Sequence, residues 1–351
     1  MTSIPKPAAR HPKLQTNRLG LTRRDYEGSM STLCAGCGHD SVTAAIIQAF
    51  FELEIPPHRV AKLSGIGCSS KTPTYFMGQA HGFNGVHGRM PAIATGANAA
   101  NRELIYIGIS GDGDSLSIGL GQLCHAIRRN VNMLYVMENN GVYGLTKGQF
   151  SASADVGSRA KRGEVNRQQP IDSVLLALSL GASFVARAFS GDKTQLVPIL
   201  KAGLAHKGFA FLDVISPCVT FNDHEGSTKS YVYTRTKEVD LTAVDFVPLR
   251  REIAIEQKDK AVTEVMMHDG SVVRLRKADE SYDPTNRAAA SAHIRRLQDQ
   301  SLVPTGILFI EESSEDMHDL SKTVARPLVE LPHEALCPGS GALDALMEEF
   351  R

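Results

Sequence analysis

The 351-residue chain carries no net charge: Lys and Arg together number 38, as do Asp and Glu. Without a one-signed field there is no electrostatic invitation to nucleic acid or to an anionic membrane. A long apolar run is missing too. The most apolar stretch, Ser173 to Ala186, is too short to span a bilayer and is flanked by Asp172 and Arg187. It reads as a buried helix followed by a strand. Residues 1–19 are rich in Pro, Lys and Arg and lack the apolar centre of a secretory signal. No internal repeat or low-complexity segment stands out. Cysteine is scarce, at six residues. With no export signal, a reducing cytoplasmic setting is expected, where thiols serve metals or catalysis more often than disulfides.

What is present is ordinary for a globular protein, with 42% hydrophobic and 22% charged residues. Val42, Ala45, Ile46, Ala49, Phe50 and Leu53 recur at helical spacing, with Asp40 or Ser41 as candidate N-cap and Pro56-Pro57 as the stop. Short apolar runs at Val60–Ser64, Leu104–Ser110, Met133–Glu138 and Phe209–Ile215 read as buried strands. Leu116, Leu120, Leu123 and Ile127 share one helical face between the second and third, which makes a βαβ unit of a parallel sheet. Further alternation is expected from a helix at Ile171–Leu180, a strand at Ser183–Ala188 and a helix at Thr194–His206 opened by Asp192. The division expected is a polar leader over 1–24, one α/β domain over 25–235, and a small α+β C-terminal extension over 236–351 that packs on the core or on a partner. In that extension, Asp269-Gly270 between two apolar runs predicts a hairpin. A helix is expected from Asp283-Pro284 to about Leu297, then a strand at Gly306–Glu311.

The unusual residues fall after the strands. Gly65-Ile66-Gly67-Cys68-Ser69-Ser70-Lys71, Gly111-Asp112-Gly113-Asp114, Asn139-Asn140-Gly141-Val142-Tyr143-Gly144 and Ser216-Pro217-Cys218 each follow one. In a parallel sheet these positions converge on a single edge, where ligands bind. Asp112, the Asn140 amide oxygen and a carbonyl near Val142 would supply oxygen ligands to Mg²⁺, with diphosphate oxygens and water completing an octahedron. Taken alone, Gly-Asp-Gly is only a turn; the Asn pair one strand later turns it into a site.

That spacing resembles the diphosphate-and-magnesium motif of thiamine diphosphate enzymes. The residues 65–71, His87-Gly88-Arg89, 111–114, Arg129-Asn130 and 139–149 are similar, in order, to the beta subunits of 2-oxoacid:ferredoxin oxidoreductases. The likeness runs from about Cys34 to Asn222, and the tail from Val262 also resembles the closing segment of some members. It implies a thiamine-diphosphate-binding α/β fold, a mostly parallel sheet flanked by helices. It also implies one [4Fe–4S] cluster on Cys34, Cys37, Cys68 and Cys218, a set of four thiolates. A lone Cys-x-x-Cys otherwise suggests zinc or a redox pair, but a zinc ribbon would want a second such pair. Cys124 and Cys337 are left as structural.

By the same resemblance, Ile66, Gly67, Cys68, Ser69 and His87 would line the thiamine. Gly113 and Asp114 would approach the diphosphate, and Gly144 and Leu145 would lie against the cofactor. His87 is the candidate proton shuttle and Lys71 the candidate partner of a substrate carboxylate, each with a purely structural alternative. The implied activity is coenzyme A-dependent oxidative decarboxylation of a 2-oxo acid, 2-oxoglutarate first, with electrons leaving through the cluster to ferredoxin. An alpha subunit would supply the activating glutamate and part of the substrate pocket, in an α2β2 assembly, with neither nucleic acid nor membrane as partner. Pyruvate or branched 2-oxo acids, a non-oxidative thiamine decarboxylase, and a zinc-stabilised scaffold are the competing readings.

Overall fold

The computed structural model describes residues 14–248, 262–277, 282–337 and 339–351. The first thirteen residues of the expected leader lie outside this set. Among the described residues thirteen strands follow one another: β1 (Val60–Ser64), β2 (His81–Asn84), β3 (Ile105–Gly111), β4 (Met133–Asn139), β5 (Val142–Tyr143), β6 (Gln149–Phe150) and β7 (Phe184–Phe189). Then come β8 (Phe209–Ile215), β9 (Glu238–Asp240), β10 (Thr242–Val247), β11 (Val262–Met266), β12 (Val272–Lys277) and β13 (Val303–Ile310). Eight of them form the main sheet, in the order β2-β1-β3-β4-β8-β7-β13-β9. Its pairs are parallel except β13 against β7.

Strand alternation builds a core on each face of the sheet. Leu134 and Val136 of β4 point to one side, with Ile107, Ile109 and Leu212, under the helices Gly38–Glu52 and Lys193–Ala205. Met133, Tyr135 and Met137 point to the other, with Leu63, Phe209 and Phe211, under Met90–Ala100, Leu120–Arg128, Ser173–Ser179 and Arg287–Asp299. Covered on both faces, β1, β4, β7 and β8 are buried along their whole length rather than at alternate positions.

The region beyond 235 contributes β9 and β13 to this same sheet, and its expected boundary falls within the helix Tyr231–Lys237. Every residue of β13 is buried. Gly306 (φ +100°) lets β13 pass close to Thr242, whose carbonyl oxygen would lie 2.6 Å from an added Cβ. The hairpin is present, β11 pairing antiparallel with β12 across Asp269-Gly270, and β10 extends it to three strands. This small sheet joins the core through Phe246, Val265, Val273 and Leu275.

Two local expectations differ from the structure. The first long helix begins at Gly38 with Cys37 as N-cap, because Asp40 accepts a 2.6 Å hydrogen bond from the Ser31 hydroxyl instead of capping. The single helix expected around Leu116–Ile127 is split into a π-helical segment, Gly113–Ile118, and an α-helix from Leu120, with Gly119 packed against Gly88 at the join.

Candidate cofactor site

β1, β3, β4 and β8 are neighbours running in one direction, so the loops after them meet along one sheet edge. Asp112 follows β3 and is 1% exposed. Its Oδ2 accepts from Ser153 Oγ at 2.6 Å, from the Gly141 amide at 3.1 Å and from Ser151 Oγ. Among the described residues its Oδ1 has only the Asn140 amide, at 3.5 Å. One carboxylate oxygen is therefore saturated and the other nearly free. Burial pushes the Asp112 carboxyl up, opposed by Ser151, Ser153, the Asn140 amide and Lys229. Asn140 is held by its own loop: its Oδ1 accepts the Val142 amide at 3.1 Å, and its carbonyl accepts Asn222 Nδ2 at 2.8 Å. Gly113 has no room for a side chain, since an added Cβ would lie 2.6 Å from the Tyr143 ring, whose hydroxyl donates to the Gly113 carbonyl. An all-oxygen donor set beside a bare backbone matches what Mg²⁺ and a diphosphate require.

Asp114, also buried, has a different task. Its Oδ1 accepts His87 Nδ1 at 2.6 Å and the Gly88 amide at 2.9 Å, and its Oδ2 accepts Ser110 Oγ at 2.7 Å. With Nδ1 donating to a carboxylate, Nε2 of neutral His87 is left as the acceptor nitrogen. The Asp114 side chain thus orients His87, and only its backbone is available to a diphosphate. Gly65 packs against the same carboxylate so closely that an added Cβ would collide with it. In the same loop Gly67 has φ +133°, and Ser69 Oγ would lie 2.7 Å from a Cβ on Gly111. Ile66 and Lys71 are half-buried, and among the described residues the Lys71 side chain makes no hydrogen bond or ion pair. Leu145 is 42% exposed.

Of the four cysteines named from the sequence, Cys68 and Cys218 flank Gly144. A Cβ there would lie 3.5 Å from Cys218 Sγ and 3.6 Å from Cys68 Sγ. Cys37 is joined to Cys34 by a 3.0 Å backbone hydrogen bond, and Gly38 to Pro217 by one of 3.2 Å. Thr220 Oγ1 donates to Cys34 Sγ at 3.6 Å. Burial pushes the Cys37 thiol up to about 12, with Glu138 and Cys218 adding to it. Cys68 and Cys218 are raised as well, first by burial; Lys71 draws Cys68 back down, while Cys34 pushes both further up and Cys218 adds to Cys68. Buried thiols of this kind are more readily ionised beside a cationic centre. Among the described residues no three His, Cys, Asp or Glu side chains converge tightly enough for a single metal ion. Four thiolates arranged about a polynuclear iron–sulfur centre need no such convergence. Cys124, in the helix Leu120–Arg128, and Cys337, exposed near the C-terminus, take no part.

Between the two halves lies a polar network to which the sequence reading gives no role. His39 Nδ1 is 2.6 Å from Ser216 Oγ and 3.4 Å from Glu138 Oε2, and its Nε2 is 3.5 Å from Asn140 Nδ2. Thr72 donates to both Glu138 oxygens, at 3.2 and 3.1 Å. Burial holds His39 down at about 4 and raises Glu138 well above the usual carboxylate range. Ser151 and Ser153 are equally absent from the sequence reading. Their only signal is a pair of hydroxyls two residues apart just after the Asn140 loop.

Residues 65–214 match the family described as thiamine pyrophosphate enzyme, C-terminal TPP binding domain. The chain is 33% identical over 327 residues, 90% of its length, to 2-oxoglutarate oxidoreductase subunit KorB of Mycobacterium tuberculosis, covering 83% of that protein. It is 42% identical over 208 residues to the 2-oxoacid:ferredoxin oxidoreductase subunit beta of Saccharolobus solfataricus, covering 59% of this chain and 68% of that one. Among solved structures it superposes on 2-oxoglutarate:ferredoxin oxidoreductase from Magnetococcus marinus, determined with 2-oxoglutarate, coenzyme A and succinyl-CoA bound. The TM-score is 0.70 at 29% identity, covering 89% of this chain and 91% of that one. The chain therefore belongs to the beta subunits of the 2-oxoacid:ferredoxin oxidoreductases.

Proposed function

We propose that this beta subunit takes part in the coenzyme A-dependent oxidation of 2-oxoglutarate to succinyl-CoA and CO₂, with ferredoxin as electron acceptor. The observation that carries the reading is one sheet edge holding both an oxygen pair, Asp112 and Asn140, and four mutually interacting cysteines. The names of the M. tuberculosis relative and of the M. marinus structure support the choice of 2-oxoglutarate. Asp112, Asn140 and the Val142 carbonyl would hold Mg²⁺; Cys34, Cys37, Cys68 and Cys218 would hold a [4Fe–4S] cluster. When bound, thiamine diphosphate supplies an electron sink for the decarboxylated carbon and the cluster a one-electron outlet.

The protein's own contributions are positional. Asp112 is presented with Oδ1 free because Ser151, Ser153 and the Gly141 amide occupy Oδ2. His87, oriented by Asp114, offers Nε2 as a proton acceptor toward the thiamine, which Ile66, Gly67, Ser69, Gly144 and Leu145 would line. Lys71, whose side chain has no hydrogen-bond or ion-pair partner among the described residues, would pair the distal carboxylate of 2-oxoglutarate. The activating glutamate and the rest of the substrate pocket belong to an alpha subunit, in an α2β2 enzyme of the cytoplasm. Among the described residues no helix is long and apolar enough to cross a membrane.

The test is anaerobic purification with a co-expressed alpha subunit, assaying iron, sulfide, zinc and thiamine diphosphate on one sample. About four irons and one thiamine diphosphate per alpha–beta pair are expected. Zinc without thiamine would overturn the reading in favour of a scaffold.

A further inference from the structure

At the edge of the main sheet, β9 gathers negative charge that no cation among the described residues balances. Glu238 and Asp240 lie two residues apart on this strand and so project from one face. Thr305 of β13, fully buried, is the register partner of Asp240. Its Oγ1 donates to Asp240 Oδ1 at 2.7 Å and accepts from Gln195 Nε2 at 3.1 Å. Gln195, in the first turn of the helix Lys193–Ala205, also donates to Asp240 Oδ1. The N-cap of that helix is a third acid, Asp192. None of the three carboxylates has an ion-pair partner among the described residues. Burial first, then the Asp240 charge, push the Glu238 carboxyl up to about 7, with Thr305 opposing and Asp192 adding.

Two oxygens in the same place are left over. Glu238 Oε1 and Gln195 Oε1 are both shut off from solvent, with no hydrogen-bond partner among the described residues. Gln195 is only 8% exposed, so its amide does not turn out to water. Its Nε2 rests on Asp240 and Thr305, which keeps the amide oxygen within the cluster. Buried acceptors without a donor are uncommon, and a bound ion is one of the things that account for them. A water molecule would satisfy the two acceptors but leave the carboxylates facing each other. A cation answers both needs. Asp240 is exposed, which gives an ion a way in. The donors are two carboxylates, an amide oxygen and a hydroxyl, so no triad of acids marks the spot. Such a mixed set from three separate elements suits Ca²⁺, which takes six to eight oxygens in loose geometry. It suits Mg²⁺ less, because that ion demands a near-ideal octahedron and sheds water reluctantly.

We propose that Glu238, Asp240, Gln195 and Thr305 form a calcium-type cation site that clasps the edge strand β9 to β13 and to the helix Lys193–Ala205. The site shares no residue with the candidate cofactor site and does not rest on the functional reading above. The experiment uses the full chain co-purified with its alpha subunit, freed of calcium with EGTA. Excess Mg²⁺ and thiamine diphosphate are kept present, so that the candidate cofactor site stays saturated. Calcium chloride is titrated by calorimetry, and the unfolding midpoint is followed with and without it. About one Ca²⁺ per beta chain is expected, with a Kd of about 10⁻⁵ to 10⁻³ M and a midpoint that rises with calcium. The isosteric Glu238→Gln, Asp240→Asn variant should bind about tenfold more weakly or worse, with a midpoint that calcium no longer moves. Gln195→Glu adds a third charged ligand, so it should bind about tenfold tighter than wild type and be less stable in EGTA. That second variant keeps the test decisive where the first does not fold. Absence of calcium binding by the wild type would overturn the proposal, leaving the spare oxygens to water or the acids to a partner's cation. So would calcium binding that neither variant alters, since the ion would then sit elsewhere.

Discussion

Replacing Ser153 with Ala removes a hydroxyl whose single proton is within reach of both Asp112 Oδ2, at 2.6 Å, and Asn139 Oδ1, at 2.9 Å. Both acceptors are shielded, Asp112 being 1% and Asn139 4% exposed, so water does not easily replace the lost donor. A hydrogen bond to a charged group is worth about 1.5–3 kcal/mol. Oδ2 keeps Ser151 and the Gly141 amide, which places the cost near the lower figure. Since about 1.4 kcal/mol is a factor of ten, Mg²⁺-dependent affinity for thiamine diphosphate should fall roughly tenfold. That agrees with the usual effect of residues standing behind a metal ligand. Ser151→Ala should act similarly, and the double variant non-additively, because both hydroxyls serve one oxygen. The chain has no Trp, so calorimetric titration at limiting Mg²⁺ is the suitable assay. Ser153→Thr, which retains the hydroxyl, should recover most of the affinity. A Ser153→Ala enzyme binding within about twofold of wild type would refute the idea that these hydroxyls present Asp112 to the metal.

Lys71→Ala should raise the KM for 2-oxoglutarate more than that for pyruvate, because only the former brings a distal carboxylate; equal effects would remove Lys71 from substrate recognition. Cys218→Ala should lose cluster iron on anaerobic purification, and full iron retention would mean that the fourth ligand lies elsewhere. His206 is held at about 3 by burial and secondarily by His268, against an ordinary 6.5, with Nε2 2.8 Å from Ser183 Oγ. The unfolded chain takes this proton first, so the stability it contributes is complete above pH 6.5 and is lost as pH falls toward 3. The slope is up to about 1.4 kcal/mol per pH unit. Between pH 7.5 and 5, the Tm of His206→Gln should therefore gain on wild type; parallel curves would show that the proton is accommodated.

How far the sequence could be read depended on whether its signals were local. Val60–Ser64 and Phe209–Ile215 are found with the expected bounds because strands buried on both faces are short, uniform apolar runs. The site loops were legible for the same reason, since each follows such a strand. β2 was not, because His81–Asn84 is an exposed edge strand with neither an apolar run nor an alternating one. Nor was the place of β13 in the main sheet. Its antiparallel pairing with β7 joins residues more than a hundred positions apart, which no local pattern encodes. The start of the first helix was misplaced because a side chain able to cap, Asp40, is engaged by Ser31 through tertiary contact. Within the candidate site, spacing pointed to the proposed oxygen ligands and the family resemblance to the proposed sulfur ligands. The groups that orient them were not visible: Ser151, Ser153, Asp114 toward His87, and the His39–Glu138 pair act through contacts between loops.

That pair explains how loops so distant in sequence hold one geometry. His39 follows Cys37 by two residues, Thr72 follows Cys68 by four, Ser216 precedes Cys218 by two, and Glu138 precedes Asn140 by two. The network joining these four residues therefore ties three cysteine loops to the candidate metal ligand without using a metal. Its charge state suits that task. Burial keeps His39 neutral near pH 7 and favours the protonated form of Glu138, so the network adds no unpaired charge beside thiols already raised by burial. A buried ion pair there would carry a desolvation cost of several kcal/mol per ion; a neutral, hydrogen-bonded set does not. In a low-dielectric interior such a set is also strongly directional, since each unmade bond is expensive. Neutral polar contacts behind the candidate ligands thus tie the loops of this edge together, and the four candidate cysteine thiols take no part in that network.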